Sequence, residues 1–204
     1  MSGRVDLRAH RAGFRAEGDR ETMRYMNADV TGQRVPVLVC GEPERGDDAV
    51  AFAAVAALPA DVRRLADVRP CGQLEVDDLL GVPEGIGCVV VDAAVGVPPG
   101  QVVRIPLADI AARTGGGAPR SSHTLPPDQA IALAEALRGV PPVGVFVGIG
   151  GSDFSLGAGL SPAVMAGLPA LTARLAEEIR LIASGPGSDP HLGGDPATLH
   201  RGPE

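Results

Sequence analysis

Three short stretches of the chain carry side chains that could perform acid–base or metal chemistry. The first is the acidic turn around Asp47 and Asp48, the second is Asp92 after a run of valines, and the third is His123 in a Gly- and Ser-rich loop. Two carboxylates and an imidazole that met in one crevice would suit a divalent metal such as Zn²⁺ or Ni²⁺, with positions left for water or substrate. Without a metal, the same groups would suit general acid–base catalysis.

Histidine is scarce in this chain, which makes His123 informative. The other three of the four histidines, His10, His191 and His200, lie near the two ends of the sequence. His123 is therefore the single imidazole expected in the folded body. No HExxH or similar metal-binding spacing surrounds it, so an ordinary exposed loop histidine is the structural alternative.

The remaining candidates also have structural interpretations. Asp47 could cap the following helix, and Asp48 could interact favourably with the dipole of that helix. Asp92 could accept a structural hydrogen bond from a neighbouring loop. Cys40 could act as a nucleophile with His123, although a cysteine flanked by valine is more typical of a small buried hydrophobic residue. The residue pattern leaves these alternatives open.

The segments around these side chains alternate between short apolar runs and helical stretches. Strands are predicted at residues 35–40, 67–71, 87–94, 101–107 and 143–149, and helices at 47–58, 76–80, 128–138 and 162–182. This alternation predicts an α/β fold with three αβα layers, in which helices cover both faces of a twisted, mostly parallel sheet of about five strands. In such a sheet the carboxyl ends of the strands line the binding crevice, where the candidate residues would meet.

Composition separates one folded domain from two polar ends. Residues 35–183 are expected to form a single α/β domain. Residues 1–34 are Arg-rich without a sustained apolar period, and we expect a flexible extension there. Residues 184–204 are dense in Gly, Pro and polar side chains, and they are expected to be a disordered tail because they bury too little apolar surface.

Charge and residue usage exclude several functional classes. The chain has 204 residues, its 18 basic residues are all Arg, and its formal net charge is −7. The lack of lysine excludes Schiff-base lysines and the phosphate-binding lysine of nucleotide loops, and the acidic balance argues against nucleic-acid binding.

The three cysteines form no CxxC pair. With no apolar segment long enough for a signal or a membrane span, we expect a cytoplasmic protein with reduced thiols and no membrane partner.

Four ordered segments resemble the nickel–iron hydrogenase maturation proteases, which trim the C-terminus of a hydrogenase large subunit after its metal centre is installed. They are VLVCGEPERGDDAV, CVVVDAAVGVPPGQVVRI, SSHTLPPDQAIALAEALRG and DFSLGAGLSPAV, and the resemblance covers residues 35–182. It implies a phosphorylase/hydrolase-like αβα fold. Matched residue by residue, the family's metal-binding acidic position, strand-end aspartate and histidine fall on Asp48, Asp92 and His123. The resemblance therefore implies that these three residues are both the catalytic and the metal-binding residues.

The resemblance also implies a substrate and a source of metal. It implies an aspartyl-type endopeptidase whose partner is a hydrogenase large-subunit precursor and whose nickel arrives with that substrate, so that no permanent cofactor is expected. A monomer is favoured. Two segments depart from the family pattern, because VCGE (residues 39–42) stands where the family has GxGN, and CGQLEVDDLL (residues 71–80) stands where it has a GGT-like segment.

Two other functions use the same acidic crevice. A non-cleaving chaperone or binding module would recognise the large subunit without hydrolysing it, and the altered GxGN turn leaves this alternative open. A small-molecule metallohydrolase would instead hold a metal of its own. For a peptidase, the attacking water could be activated by the metal or by a carboxylate such as Glu42 or Glu44.

Overall fold

The strands form one sheet in the order β2-β1-β3-β5-β4. The computed structural model describes residues 33–112 and 125–185. Within those ranges the strands are β1 (Val35–Cys40), β2 (Ala66–Gly72), β3 (Cys88–Pro99), β4 (Val102–Pro106) and β5 (Gly144–Gly150). Strands β2, β1, β3 and β5 are parallel, and β4 joins the edge of the sheet antiparallel to β5. The predicted five-stranded, mostly parallel sheet is confirmed.

Six α-helices connect or flank these strands in the described part of the chain. They are α1 (Val50–Ala56), α2 (Ala60–Leu65), α3 (Val76–Leu80), α4 (Leu107–Ala111), α5 (Pro127–Arg138) and α6 (Pro162–Ser184). A 3₁₀ turn, Gly46–Ala49, precedes α1. Pro127 begins α5 and Pro162 begins α6, where the missing N–H of proline leaves no helical hydrogen bond unmade.

The continuous apolar strands place hydrophobic side chains on both faces of the sheet. Val37 and Val89, which pair in register, pack with α1, α2 and α6 on one face. Leu38 and Val90, one residue further along, pack with α3, α4 and α5 on the other face. Successive residues of a strand point to opposite faces, so a strand buried on both sides must be apolar throughout. The three αβα layers follow from this pattern, as predicted.

The segment predicted as one helix over residues 47–58 has a different structure. It divides into the 3₁₀ turn and α1, and a further helix, α2, begins after Pro59. The 3₁₀ turn forms where the Asp47 carboxylate accepts hydrogen bonds from a distant loop instead of capping the local backbone. That interaction depends on tertiary structure and leaves no periodic signal in the sequence.

Strand β3 is longer than predicted and ends at Pro99 instead of residue 94. Prolines weaken a strand signal because they donate no hydrogen bond. Here the neighbouring backbone maintains the pairing, since the Gly100 N–H donates to the Gly150 carbonyl and the Gly150 N–H donates to the Gln101 carbonyl. The edge strand β4 is also tied to α6, because Arg104 Nε lies 2.7 Å from the buried carboxylate of Glu178.

Arg63, a residue of α2, caps the carboxyl end of α1. Its guanidinium donates to the carbonyl oxygens of Val55, Ala56 and Leu58, in and just beyond the last turn of the helix, where the regular helical hydrogen bonding ends. We expect Arg63→Ala to lower the free energy of unfolding by about 1 kcal/mol. The matched control is Arg64→Ala on the same helix, where the change is expected to stay within about 0.5 kcal/mol. Urea titrations of both variants measure the difference, and equal losses would contradict this capping role.

Several sequence predictions fall outside the described residues. These are the flexibility of residues 1–32, the loop that contains His123, and the disorder of the tail from residue 186 onward. At the boundaries that are described, α6 continues to Ser184. Among the described helices, none combines the length and hydropathy needed to cross a bilayer.

Candidate functional site

The turn after β1 brings Asp48 to the carboxyl end of that strand. Gly41 has φ +101°, and a Cβ atom there would lie 2.1 Å from the Asp48 carbonyl oxygen, so only glycine fits. The Gly41 N–H donates to the Gly72 carbonyl at 2.5 Å, which holds the turn against β2. The Asp48 side chain is fully buried, and its Oδ2 accepts a hydrogen bond from the Glu42 N–H at 3.3 Å. The backbone turn therefore fixes the position of this carboxylate.

Asp92 lies within β3, at the point where pairing with β1 ends. Val91 still pairs with Val39, whereas Asp92 pairs only with Gly148 of β5. Asp92 therefore lies inside its strand and not at its end, because β3 continues along β5. Its carboxylate is 2% exposed, and Oδ1 accepts a hydrogen bond from the Ala93 N–H at 2.7 Å.

A small cavity opens beside Asp92 between the sheet and helices α4 and α5. Its walls are mostly apolar and include Cys40, Leu107, Ile131 and Phe146. The nearby negative charge of Asp92 helps to raise the pKa of the Cys40 thiol, behind the larger contributions of its hydrogen bond with Cys71 and its burial. Cys40 thus stays a protonated thiol at neutral pH, which argues against the nucleophile alternative and fits a small buried hydrophobic residue.

Asp48 and Asp92 both lie close to the carboxyl end of β1. Asp48 packs against Gly41, and Asp92 lies on the adjacent strand beside Cys40. His123 falls outside the described residues, so its place in the site remains a prediction. Within ranges 33–112 and 125–185, no three His, Cys, Asp or Glu side chains are grouped closely enough to hold a metal ion. Glu42 and Glu44 have exposed side chains in the same turn, as a solvated acidic loop would.

Leu125, the first described residue after His123, lies near this site. Leu125 is two residues beyond His123 in sequence, and its carbonyl accepts a hydrogen bond from Gln73 Nε2 at 2.7 Å. Gln73 directly follows β2, on the same edge of the sheet as Asp48 and Asp92. The chain at Leu125 is therefore anchored at the carboxyl ends of the strands.

Asp47 has a role that the sequence analysis did not predict. Its side chain is fully buried and accepts hydrogen bonds from the backbone N–H groups of Ser152, Asp153 and Ser161, at 2.7, 3.0 and 2.6 Å. Burial alone would raise the pKa of Asp47, but these hydrogen bonds outweigh it and lower the pKa below its ordinary value. Asp47 therefore stays ionised at neutral pH and anchors the loop between β5 and α6.

The helix-cap interpretation of Asp47 is accordingly wrong. A capping side chain would accept from the first N–H groups of its own helix, whereas Asp47 accepts from residues more than a hundred positions away. The only sequence signal was the loop itself, GSDFSLGAGLS, whose small and polar residues leave backbone N–H groups available to an acceptor.

Comparison with known proteins identifies the fold. No family model and no curated protein sequence matches the chain. Among solved structures, it is similar to the hydrogenase maturating endopeptidase HybD from E. coli, with a TM-score of 0.57, 18% identity, and coverage of 72% of this chain and 93% of that one. It is similar to the [NiFe] hydrogenase maturation protease HycI from Thermococcus kodakarensis KOD1, with a TM-score of 0.53, 20% identity, and coverage of 73% and 94%.

A third structure, the [NiFe] hydrogenase maturation protease HybD from Thermococcus kodakarensis, has a TM-score of 0.53 and 22% identity, with coverage of 71% of this chain and 98% of that one. Nearly the whole length of each of these proteins is matched, so the similarity extends over a complete domain. The described sheet and its helices thus have the fold of the [NiFe] hydrogenase maturation proteases.

Proposed function

We propose that this protein is an endopeptidase that removes the C-terminal extension of a nickel–iron hydrogenase large-subunit precursor after nickel insertion. The fold shared with the maturation proteases supports the reaction class. The observation that carries the proposal is the pair of buried carboxylates, Asp48 and Asp92, that lie near the carboxyl end of β1. Buried carboxylates at the crevice of an open α/β sheet are suited to bind a cation or to handle a proton.

In this proposal the metal belongs to the substrate. Asp48, Asp92 and His123 would bind the nickel that the precursor carries, so that cleavage begins only after the metal centre is complete. The hydrogen bond between Gln73 and Leu125 supports the inclusion of His123, because it anchors the adjoining chain at the same edge. Oxygen and imidazole ligands suit nickel.

Hydrolysis requires a water molecule to attack the scissile carbonyl carbon while the amine leaves with a proton. Two routes to the activated water fit the donor set. A cation can acidify the water, or a carboxylate can accept its proton as a general base. The mostly apolar walls beside Asp92 would strengthen its interaction with either a cation or a proton.

The decisive experiment compares nickel-loaded and nickel-free large-subunit precursors. We expect the purified protein to shorten only the nickel-loaded precursor, and mass spectrometry of the large subunit measures the lost C-terminal peptide. A precursor incubated alone controls for spontaneous cleavage. If the precursor binds but keeps its full mass, the protein is a chaperone and the peptidase proposal is wrong.

Metal analysis of the isolated protein tests the proposed source of nickel. We expect less than one metal ion per chain after purification, because the metal is to come with the substrate. A tightly held, stoichiometric ion would instead indicate a metallohydrolase with a resident cofactor. The proposed setting is the cytoplasm, and the proposed working form is a monomer.

A further inference from the structure

Two cysteines that are far apart in sequence meet at the carboxyl edge of the sheet. Cys40 is the last residue of β1 and Cys71 is the next-to-last residue of β2, yet their sulfur atoms lie 3.7 Å apart. The Cys71 thiol also lies 3.5 Å from the Val39 carbonyl oxygen. The sequence contains no CxxC motif to indicate this contact, which arises only from strand pairing.

An irregularity in the pairing of β1 with β2 produces the contact. The register runs from Val35 opposite Ala66 to Val39 opposite Pro70, and then Cys40 faces Gly72. Cys71 is thus the extra residue of a bulge. Bulged positions redirect side chains relative to the regular pleat, and here both thiols occupy the same layer of the core.

The two thiols differ in their access to solvent. Cys40 is 1% exposed, whereas Cys71 is only half-buried. A small oxidant arriving from solvent would therefore meet Cys71 first, with the Cys40 sulfur already in contact behind it. A solvent-accessible thiol with a neighbouring resolving thiol is the arrangement found in redox-sensitive cysteine pairs.

We propose that Cys40 and Cys71 form a reversible disulfide when the protein meets a peroxide. A disulfide needs the two sulfurs about 2 Å apart, which small side-chain rotations from the present contact supply. Neighbouring strands already hold the two backbones close together. In a cytoplasmic protein such a bond would be transient and redox-sensing instead of structural.

The reaction balances with hydrogen peroxide as the oxidant. The Cys71 thiolate attacks one peroxide oxygen, the O–O bond breaks, and a sulfenic acid forms on Cys71 as hydroxide leaves. The Cys40 sulfur then attacks the sulfenic sulfur, so that the S–S bond forms and the S–O bond breaks. The protons released by the two thiols combine with the two hydroxides. In total, two thiols and one peroxide give one disulfide and two water molecules.

The bond would close a loop that contains the candidate site. The segment between the two cysteines includes the Gly41 turn and Asp48, and Cys40 lines the cavity beside Asp92. Oxidation would thus fasten the Asp48 turn to β2 by a covalent link. The inference concerns the thiols alone, and it stands or fails independently of the proposed peptidase activity.

Thiol counting on the full-length protein tests the proposal. The reduced protein is freed of reductant, treated with hydrogen peroxide, denatured and alkylated with iodoacetamide. We expect three alkylated cysteines before oxidation and one afterward, with full recovery of three after dithiothreitol. Three alkylated cysteines after peroxide, or a sulfinic acid on Cys71 with Cys40 still alkylated, would overturn the proposal.

Peptide mapping identifies the bonded pair. Trypsin leaves Cys71 and Cys88 in one peptide, because no Arg or Lys lies between them, so the protein is cut before aspartate residues instead. We expect a cross-linked peptide pair that contains Cys40 and Cys71, with Cys88 alkylated. Cys88 is the internal control, since burial raises the pKa of its thiol to about 12. A cross-link to Cys88 or between two molecules would contradict the assignment.

Two variants complete the test. Cys71→Ser, at the half-exposed position, is expected to abolish disulfide formation, whereas Cys88→Ala is expected to leave it unchanged. Because the result for the wild-type protein requires no substitution, poor folding of either variant does not affect the conclusion. Normal disulfide yield in Cys71→Ser would overturn the proposal.

Discussion

Asp92→Asn is expected to lower the rate of precursor cleavage by a hundredfold or more while the protein stays folded, since a catalytic proton acceptor contributes about 10²-fold to 10⁴-fold. The amide keeps the size of the carboxylate and can still accept the Ala93 N–H, so the local structure has little reason to change. What is lost is the negative charge beside the cavity, which in the proposed mechanism binds the cation or accepts the proton of the water. Cleavage of the nickel-loaded precursor, followed by mass spectrometry, measures the rate.

Asp48→Asn and His123→Ala are measured in the same cleavage assay, and both are expected to lower the rate. The Asp48 amide oxygen can still accept from the Glu42 N–H, so we expect Asp48→Asn to fold and to lose activity to a similar extent. The control is Glu84→Gln, which removes one negative charge from an exposed position before β3 and is expected to leave cleavage within about twofold. Full activity in both Asp48→Asn and Asp92→Asn would show that the carboxylates have only a structural role.

The ratio of the affinities for nickel-loaded and nickel-free precursor distinguishes a loss of metal recognition from a loss of folding. If the carboxylates bind the nickel of the substrate, each variant is expected to bind nickel-loaded and nickel-free precursor with nearly equal affinity, whereas the wild-type protein binds the loaded form more tightly. A loss of about tenfold to a hundredfold in that preference is the expected size, as for other changes around a metal. A variant that merely unfolds would lose affinity for both forms.

Asp47→Asn is expected to lower the free energy of unfolding by about 3 kcal/mol, because a fully buried carboxylate that accepts several backbone hydrogen bonds is replaced by a neutral amide. Its two oxygens face N–H donors on both sides, Ser152 and Asp153 at one oxygen and Ser161 at the other. An asparagine offers only one acceptor oxygen, so its NH₂ group must face a donor. Urea unfolding of the two proteins measures the loss.

Asp153→Asn provides the control for that measurement. Asp153 lies in the same loop but is exposed, and its Oδ1 accepts from the Ser155 N–H, a role that an amide oxygen can take over. We expect a much smaller change in stability than for Asp47→Asn. If the two variants unfolded alike, Asp47 would not be the anchor of the loop between β5 and α6.

The sheet was the most predictable part of the molecule. Val35–Cys40 and the valines before Asp92 are buried on both faces, so their apolar pattern is unbroken and indicates buried parallel strands directly. The short helices were less predictable. Helix α2 lies between Pro59 and β2 and has only one buried residue, Val62, so its amphipathic signal is too short to recognise.

The candidate site, like the fold, was predictable only in part from the sequence. Asp48 and Asp92 could be selected because a carboxylate close to a buried strand needs a partner or a role, and the structure places both at one end of the sheet. Asp47 was misinterpreted because its partners lie in the loop that precedes α6. Residue spacing in the sequence indicates only hydrogen bonds between near neighbours. The Asp47 carboxylate and its N–H donors are distant in sequence and meet only in the folded chain.

By itself, the sequence determined the layers of the fold and the strands of its centre, and it predicted two carboxylates as site residues, because hydrophobic period and charge are local properties. Only the tertiary structure decided that Asp47 holds the loop before α6, that Cys40 touches Cys71, and that β3 continues along β5. Each of these depends on pairing between segments distant in sequence. The order and register of strands in a sheet follow from the packing of the whole core, which no single segment encodes.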